Sequence, residues 1–254
     1  IFSLLFNKKR AFETLRFTNY MKIILVANSA YKLVNFRLNL LVTLINKGYK
    51  ITAVVPWDSY VEDLKNIGIN VVITNRNLSY KKPFSYFKFT WILISTIIKE
   101  KPNFILSFTI VPNLISGFLA RVLKVNFIPN VTGRGPGFSG ANILAKFRIK
   151  ILVYLHTFCF RSARTVFVQN EDDKSFFIEY KIVESDRCTV LPGSGVDLKK
   201  FSKIEVEKDL DFGFVGRVMA AKGILDFLMA LKGLKKRGFL VKAVVVGGFP
   251  DDTN

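Results

Sequence analysis

The chain has 254 residues, half of them hydrophobic and 25 of them Phe, with 38 Lys plus Arg against 19 Asp plus Glu. That length accommodates two domains or one large one, and the composition excludes disorder and low complexity as descriptions of the whole. The formal net charge of +19 is unevenly placed: residues 1–170 hold 24 Lys or Arg and 5 Asp or Glu, whereas residues 171–254 hold 14 of each. A charge boundary near residue 170 marks two parts with different surroundings. The basic part calls for an anionic partner: nucleic acid, an anionic membrane face or a phosphorylated substrate.

In chain order, residues 1–20 read as an upstream or leader segment outside the fold, because a clean strand begins only after Met21. A secretory signal fits poorly there, since the apolar stretch Ile1–Phe6 is short and its basic residues follow rather than precede it. Lys22–Ala27 is an apolar, β-branched run that predicts a buried strand. Helical spacing over 31–47 stops at Gly48, a helix-ending signal. The rhythm then repeats: strand 50–55, helix 58–67, strand 69–73, helix 84–99, strand 103–108, helix 112–123, strand 125–130, helix 141–162, strand 165–168, helix 171–179 and strand 188–191. Such alternation implies an α/β domain with a mostly parallel, doubly wound sheet covered on both faces. After Leu191 a Gly-rich turn and a charged segment predict a linker over 193–210, following a Rossmann-like domain over 21–192. A second strand, helix and strand over 211–216, 222–236 and 239–246 predict the start of another such domain within 211–254, expected to be truncated.

Phe89–Ile98 has about half the roughly 20 apolar residues of a spanning helix. Ile143–Phe160 is longer but carries Lys146, Arg148 and Lys150. At about 100° per residue, Lys146, Lys150, Arg161 and Arg164 fall within about 60° of one another, a basic stripe on an apolar helix. It is either the solvated face of a core helix or a contact with anionic lipid. Cys159 and Cys188 match no metal or redox spacing and read as reduced thiols. His156 is the one histidine and reads as a packed residue, which leaves little room for a His-based metal site or a Ser-His-Asp triad.

In a doubly wound sheet, ligands bind beyond the carboxyl ends of the strands. Those ends are Asn28 to Tyr31, Thr109 to Asn113, Thr132 to Gly140, Gln169 to Asp173 and Gly193 to Asp197, all polar or glycine-rich. The glycines of 133–140 permit close backbone approach, and Arg134 among them offers a fork for phosphate or carboxylate, although a long loop needs glycine in any case. Asn170 and Asp172 are equally suited to capping a helix. Farther on, Gly216-Arg217 ends a strand and Lys222-Gly223 opens a helix, so two cations meet free helix N–H groups at a seat suited to a diphosphate.

Thr109-Ile-Val-Pro-Asn113, Val131 to Phe138, Val166 to Asp173, Leu191 to Asp197 and Gly216-Arg217 to Lys222-Gly223 occur in that order. Together, over about Met21 to Gly248, they resemble glycosyltransferase family 4, which has the GT-B fold of two Rossmann-like domains. The resemblance implies a retaining transferase moving a sugar from a nucleotide sugar, typically UDP-linked, to a lipid-diphosphate-linked sugar or glycan at the inner face of the cytoplasmic membrane. By that likeness Gly216, Arg217 and Lys222 bind the donor diphosphate, and no metal or other cofactor is needed. Asn28, Thr109, Asn113, Gly133, Arg134 and Gly135 line the acceptor and sugar cleft. Ser194, Gly195 and Asp197 shape the interdomain turn. No catalytic residue is assigned.

Three departures accompany the resemblance. Asn28-Ser29-Ala30 replaces the glycines usual after the first strand, and Val111 stands where relatives often have Lys. The paired glutamates that contact the donor sugar would lie beyond Asn254, so this chain is expected to be inactive alone. A nucleotide-sugar 2-epimerase of the same fold is the alternative enzyme reading. A basic module for nucleic acid or a membrane surface is the alternative from another class. Nucleic acid is not expected as a partner, because no aromatic stacking sheet or basic recognition helix is evident.

Overall fold

The computed structural model describes residues 20–74, 83–138, 140–198 and 200–249. The expectation for residues 1–20 therefore lies outside the described residues except at Tyr20. Chain contacts divide the protein into two compact units between Asp197 and Leu198, and each is described by itself.

The first unit carries seven strands: β1 (Lys22–Val26), β2 (Lys50–Val55), β3 (Asn70–Ile73), β4 (Phe104–Phe108), β5 (Asn126–Val131), β6 (Val166–Val168) and β7 (Cys188–Val190). Its α-helices among the described residues are α1 (Ala30–Asn46), α2 (Val61–Asn66), α3 (Pro83–Glu100), α4 (Ile110–Val122), α5 (Ile143–Phe160) and α6 (Glu171–Glu179). The sheet order is β3-β2-β1-β4-β5-β6-β7, and every pairing is parallel. Strand period two splits the core. Ile23 and Leu25 pack with Leu33, Leu41 and Leu44 of α1 and with α2. Ile24 and Val26 pack with Phe89, Leu93 and Ile97 of α3, Leu119 of α4, Cys159 and Phe160 of α5 and Phe177 of α6. Both faces are thus buried, which is why the strands read as apolar runs rather than alternating ones.

Differences from the predicted boundaries have local causes. The helix expected from 58 begins at Val61 because the Asp58 carboxylate first accepts from the N–H groups of Tyr60 (3.0 Å) and Tyr31 (3.1 Å). Helix α4 begins at Ile110, two residues early, since Pro112 falls in its first turn, where a missing N–H costs nothing. Helix α5 begins after Asn142, whose side chain accepts from the Ala145 N–H at 2.8 Å. It ends at Phe160, because the chain turns there and Arg164 N–H donates to the Phe127 carbonyl at 2.9 Å. Arg161 and Arg164 therefore lie past the helix, and the helical stripe predicted for four cations holds on α5 only for Lys146 and Lys150.

Gly117 decides how closely α4 seats on its neighbours: a Cβ there would come within 2.7 Å of the Cys159 carbonyl oxygen and 2.9 Å of the Phe127 ring. The second unit contains β8 (Phe212–Val215), α7 (Ile224–Lys236) and β9 (Ala243–Val246), with β8 and β9 parallel. The strand expected from 239 is shorter because Gly238 and the following residues close the end of α7, with Phe239 N–H donating to the Leu234 carbonyl at 3.2 Å.

Candidate functional site

The sheet order reverses at β1 and β4, so the chain leaves these neighbouring strands toward opposite faces and a crevice opens beyond their carboxyl ends. A cleft of about 250 Å³ occupies that place. Ala27 and Asn28 follow β1, Phe108 and Thr109 end β4, Thr132 follows β5, Gln169 follows β6 and Ser194 follows β7; Lys32, Leu33, Phe36 and Arg37 supply one face of α1. None of these lining residues is acidic.

Helix α1 is aimed by its cap: Ser29 Oγ accepts from the Lys32 N–H at 3.3 Å. Lys32 Nζ donates to Asn28 Oδ1 at 3.1 Å. One turn farther, the Arg37 guanidinium lies 5.1 Å from the Phe108 ring centre, and burial pulls its pKa below the ordinary arginine value. Two cations thus share one apolar-walled cleft, where reduced solvent screening strengthens their field.

Thr109 is the oddity of the site. Its backbone, at φ 72° and ψ 163°, lies in a region that only glycine enters readily. It precedes α4 without capping it, and its Oγ1 is buried with no hydrogen-bond partner among the described residues. A β-branched residue in that conformation with an unused hydroxyl is costly, and it sits on the lining of the cleft.

The sequence-derived residues take three different places. Asn28, Thr109 and Ser194 line the cleft. Asn113 is fully buried instead: Ser107 Oγ donates to its Oδ1 at 2.5 Å, and its Nδ2 donates to the Asn130 carbonyl at 3.0 Å. It ties β4, α4 and β5 together beneath the rim. Gly133 (φ 139°) and Gly135 (φ 67°) bend the loop after β5. Between them Arg134 is already engaged, its Nε 2.7 Å from Asp173 Oδ1 and its guanidinium 4.7 Å from the Phe176 ring centre. Asn170 caps α6, accepting from the Asp173 N–H at 2.7 Å. Gly193 and Gly195 have φ of 71° and 76°, so the turn carrying Ser194 toward Asp197 is built from glycine conformations. Lys32 and Arg37 were not singled out from sequence. Their spacing from Leu33 and Phe36 on a helix that leaves a candidate loop was the available signal.

In the second unit, Gly216 N–H donates to the Val246 carbonyl at 2.9 Å and Val218 N–H to the Gly248 carbonyl at 3.0 Å. The two strand ends run so close that a Cβ on Gly247 would collide with the Gly216 carbonyl. Arg217 follows directly and is exposed. Lys222 does not open α7, as the sequence suggested. It closes a 3-10 turn (Ala220–Lys222), and Gly223, at φ 80°, intervenes as the helix cap. Both cations are exposed, and neither forms an ion pair among the described residues. Gly223 offers no side-chain cap to the first N–H groups of α7, and Asp226 stands in the same first turn.

His156 is buried, with Nδ1 donating to the Leu152 carbonyl at 2.7 Å and rings of Phe138, Phe160 and Phe177 around it. Burial holds its pKa below 6.5. The thiols of Cys159 and Cys188 are both buried and unpaired, each pushed up to about 11 by burial. Among the described residues, no group of three or more His, Cys, Asp or Glu could hold a metal ion.

No family model matches the chain. In sequence it is similar to the N,N'-diacetylbacillosaminyl-diphospho-undecaprenol alpha-1,3-N-acetylgalactosaminyltransferase of Campylobacter jejuni, with 23% identity over 243 residues, covering 90% of this chain and 64% of that protein. In structure it is similar to the Anabaena protein Alr3699/HepE in complex with UDP and glucose, at 13% identity and TM-score 0.62, covering 91% of this chain and 70% of that one. It is also similar to UDP-N-acetylglucosamine 2-epimerase from Rickettsia bellii, at 15% identity and TM-score 0.57, covering 92% and 63%. The fold is thus the α/β fold of GT-B glycosyltransferases and epimerases. The chain spans less than two thirds of the Campylobacter transferase and of the Rickettsia epimerase.

Proposed function

We propose that the chain belongs to a retaining glycosyltransferase of family 4 that moves a sugar from a UDP-sugar to a lipid-diphosphate-linked saccharide at the inner face of the cytoplasmic membrane. The observation that carries this reading is the cleft at β1 and β4. Strained Thr109 lines a space shared with Lys32 and Arg37 and with no acid. Such a site suits an anionic, oxygen-rich ligand, and a saccharide joined to a diphosphate is one.

Asn28, Thr109, Lys32 and Arg37 contact the acceptor in this reading. Asn113, Gly133, Arg134 and Gly135 act at one remove, by fixing the loops around it. Ser194, Gly195 and Asp197 shape the turn that ends the first unit. In the second unit Gly216 lets the backbone approach the donor diphosphate, while Arg217 and Lys222 neutralise charge that grows on the departing nucleotide. Two cations can supply that stabilisation, so no metal ion is assigned a step. The likeness to a transferase whose name contains diphospho-undecaprenol supports the acceptor class, and a neighbour bound to UDP and glucose supports the donor class.

An epimerase reading shares the fold and has a structural neighbour of that name. One assay separates the two. The full-length gene product is incubated with radiolabelled UDP-sugars, with and without a polyprenyl-diphosphate-linked saccharide. Label is expected in the lipid fraction only when acceptor is present, and Arg217→Ala is expected to reduce it. A 2-epimer of the nucleotide sugar formed without acceptor would overturn the transferase reading in favour of the epimerase.

A further inference from the structure

The cleft at β1 and β4 continues outward into a cluster of aromatic rings that the core does not consume. Phe36 lines the cleft, and Lys32, one turn earlier on α1, stands about 40° from it around the helix axis. The Tyr31 ring meets Phe36 edge-on at 6.1 Å between centres and Tyr60 edge-on at 5.1 Å. Tyr60 packs in turn against the core beneath α1 and α2, so the cluster has a fixed base. Its outer part is left uncovered: Tyr31 is 43% exposed, Phe36 48%, and Trp57, just after β2, 48%. The backbone holds the rings in place. Asp58 accepts from the Tyr31 and Tyr60 N–H groups through different oxygens, which joins the loop after β1 to the loop after β2, and Asn35 Nδ2 donates to the Tyr31 carbonyl at 3.0 Å.

We infer that Tyr31 and Phe36 form the seat of the sugar that adjoins the acceptor diphosphate, and that these rings select the saccharide. The inference rests on the proposed reading of the cleft as the diphosphate site. An aromatic ring carries a negative face, and the C–H bonds on one side of a pyranose present a flat, weakly positive surface that matches it. Rings already fixed by their neighbours lose little freedom when such a contact forms. The groups around them suit a sugar as well. Asn28, Asn35 and Asp58 stand beside the rings at half-buried or exposed positions, and a carboxylate that has accepted two bonds keeps lone pairs for hydroxyls. A polyprenyl chain, the other substituent of the diphosphate, offers these groups nothing to bond. Position agrees with the order of atoms in the ligand: Lys32 and Phe36 are neighbours on one face of α1, so a phosphate at the ammonium brings the carbon joined to it beside the ring.

The test is isothermal titration of the 254-residue chain with three diphosphate monoesters of equal charge: methyl diphosphate, N-acetylglucosamine 1-diphosphate and geranyl diphosphate. The sugar ester is expected to bind about threefold to tenfold more tightly than the methyl ester. Tyr31→Leu and Phe36→Leu keep apolar bulk without a ring, and each is expected to lose that advantage while binding methyl diphosphate as before. Tyr31→Phe keeps the ring and is expected to retain the advantage. So is a control, Trp91→Leu, which alters a 65% exposed side chain on α3, a helix packed on the other face of the sheet. Methyl diphosphate binding in each variant shows that the cleft is still folded. Equal affinity for the sugar and methyl esters, or a sugar advantage that survives both leucine variants, would overturn the inference alone. So would a gain for geranyl diphosphate that the leucine variants abolish, which would assign the rings to the isoprenoid. No binding of methyl diphosphate by the unaltered chain would instead overturn the reading of the cleft, and the inference with it.

Discussion

Arg134 donates from Nε to Asp173 Oδ1 at 2.7 Å, joining the glycine-rich loop after β5 to the start of α6 across 39 residues of chain. Asp173 is buried and also accepts from Asn170 Nδ2 at 3.2 Å, so its carboxylate has replaced water with two protein donors. Removing it as Asp173→Ala leaves the Arg134 guanidinium without its partner. A loss of about 1–3 kcal/mol is expected, read as a lower urea midpoint, together with faster proteolysis in the loop. An unchanged midpoint would show that the pair does not hold the loop and would return Arg134 to the set of candidate ligand contacts.

Asn113 is the knot beneath the cleft. Asn113→Ala strands the Ser107 hydroxyl and the Asn130 carbonyl in a dry setting, where each unpaired group is costly. About 2 kcal/mol of destabilisation is expected in denaturant titration. Asn113→Asp, nearly the same shape, is expected to do no better, because a carboxylate cannot donate to the Asn130 carbonyl.

The cleft itself is tested without knowing its natural occupant. Isothermal titration with inorganic pyrophosphate is expected to show binding that weakens as salt is raised. Arg37→Ala and Lys32→Ala should each reduce affinity by roughly tenfold, the scale of about 1.4 kcal/mol for one charge-assisted contact. Equal affinity in the variants would remove these two cations from the site.

His156 makes stability depend on pH with a definite sign. Unfolded, it takes a proton near 6.5; folded, desolvation among the aromatic rings lowers its pKa. The unfolded state therefore binds more protons below about 6.5, and stability falls as the pH drops through that value and continues to fall until the folded form also protonates. The urea midpoint is expected to be lower at pH 5.5 than at pH 7.5, with a smaller difference in His156→Phe.

Both thiols are buried and pushed up to about 11, so little thiolate is exposed near neutrality. A chromogenic disulfide reagent at pH 8 is expected to react slowly with the native chain and with two equivalents promptly in denaturant. Fast native reaction at either cysteine would contradict its burial.

The sheet was legible because each strand is an apolar run bounded by polar or glycine residues, and because both faces are covered that run needs no alternation. The rim loops were legible for the same reason: the carboxyl ends of β1, β4, β5, β6 and β7 are marked by polar or glycine residues. Side-chain commitments were not. Nothing in the residue string says that Arg134 is engaged by an aspartate 39 positions on, or that Asn113 turns down into the core while Thr109 four residues earlier lines the cleft. Lys32 and Arg37 were passed over because a helix read by its apolar period yields its core face first. The exposed apolar side chains of α5, Ile143, Leu144 and Phe147 among them, were hidden in another way, since a helix apolar on both sides shows no contrast between them, and only burial distinguishes the side that packs from the side that does not.

Thr109 has a consequence for any attempt to make this chain hardier. Its backbone conformation costs about 1–3 kcal/mol, which a glycine would largely recover, net of glycine's own entropic cost. A laboratory selection for heat resistance that ignored the ligand would be drawn to Thr109→Gly early. The survivors would melt later, and the same change would delete a buried hydroxyl that has no partner of its own among the described residues.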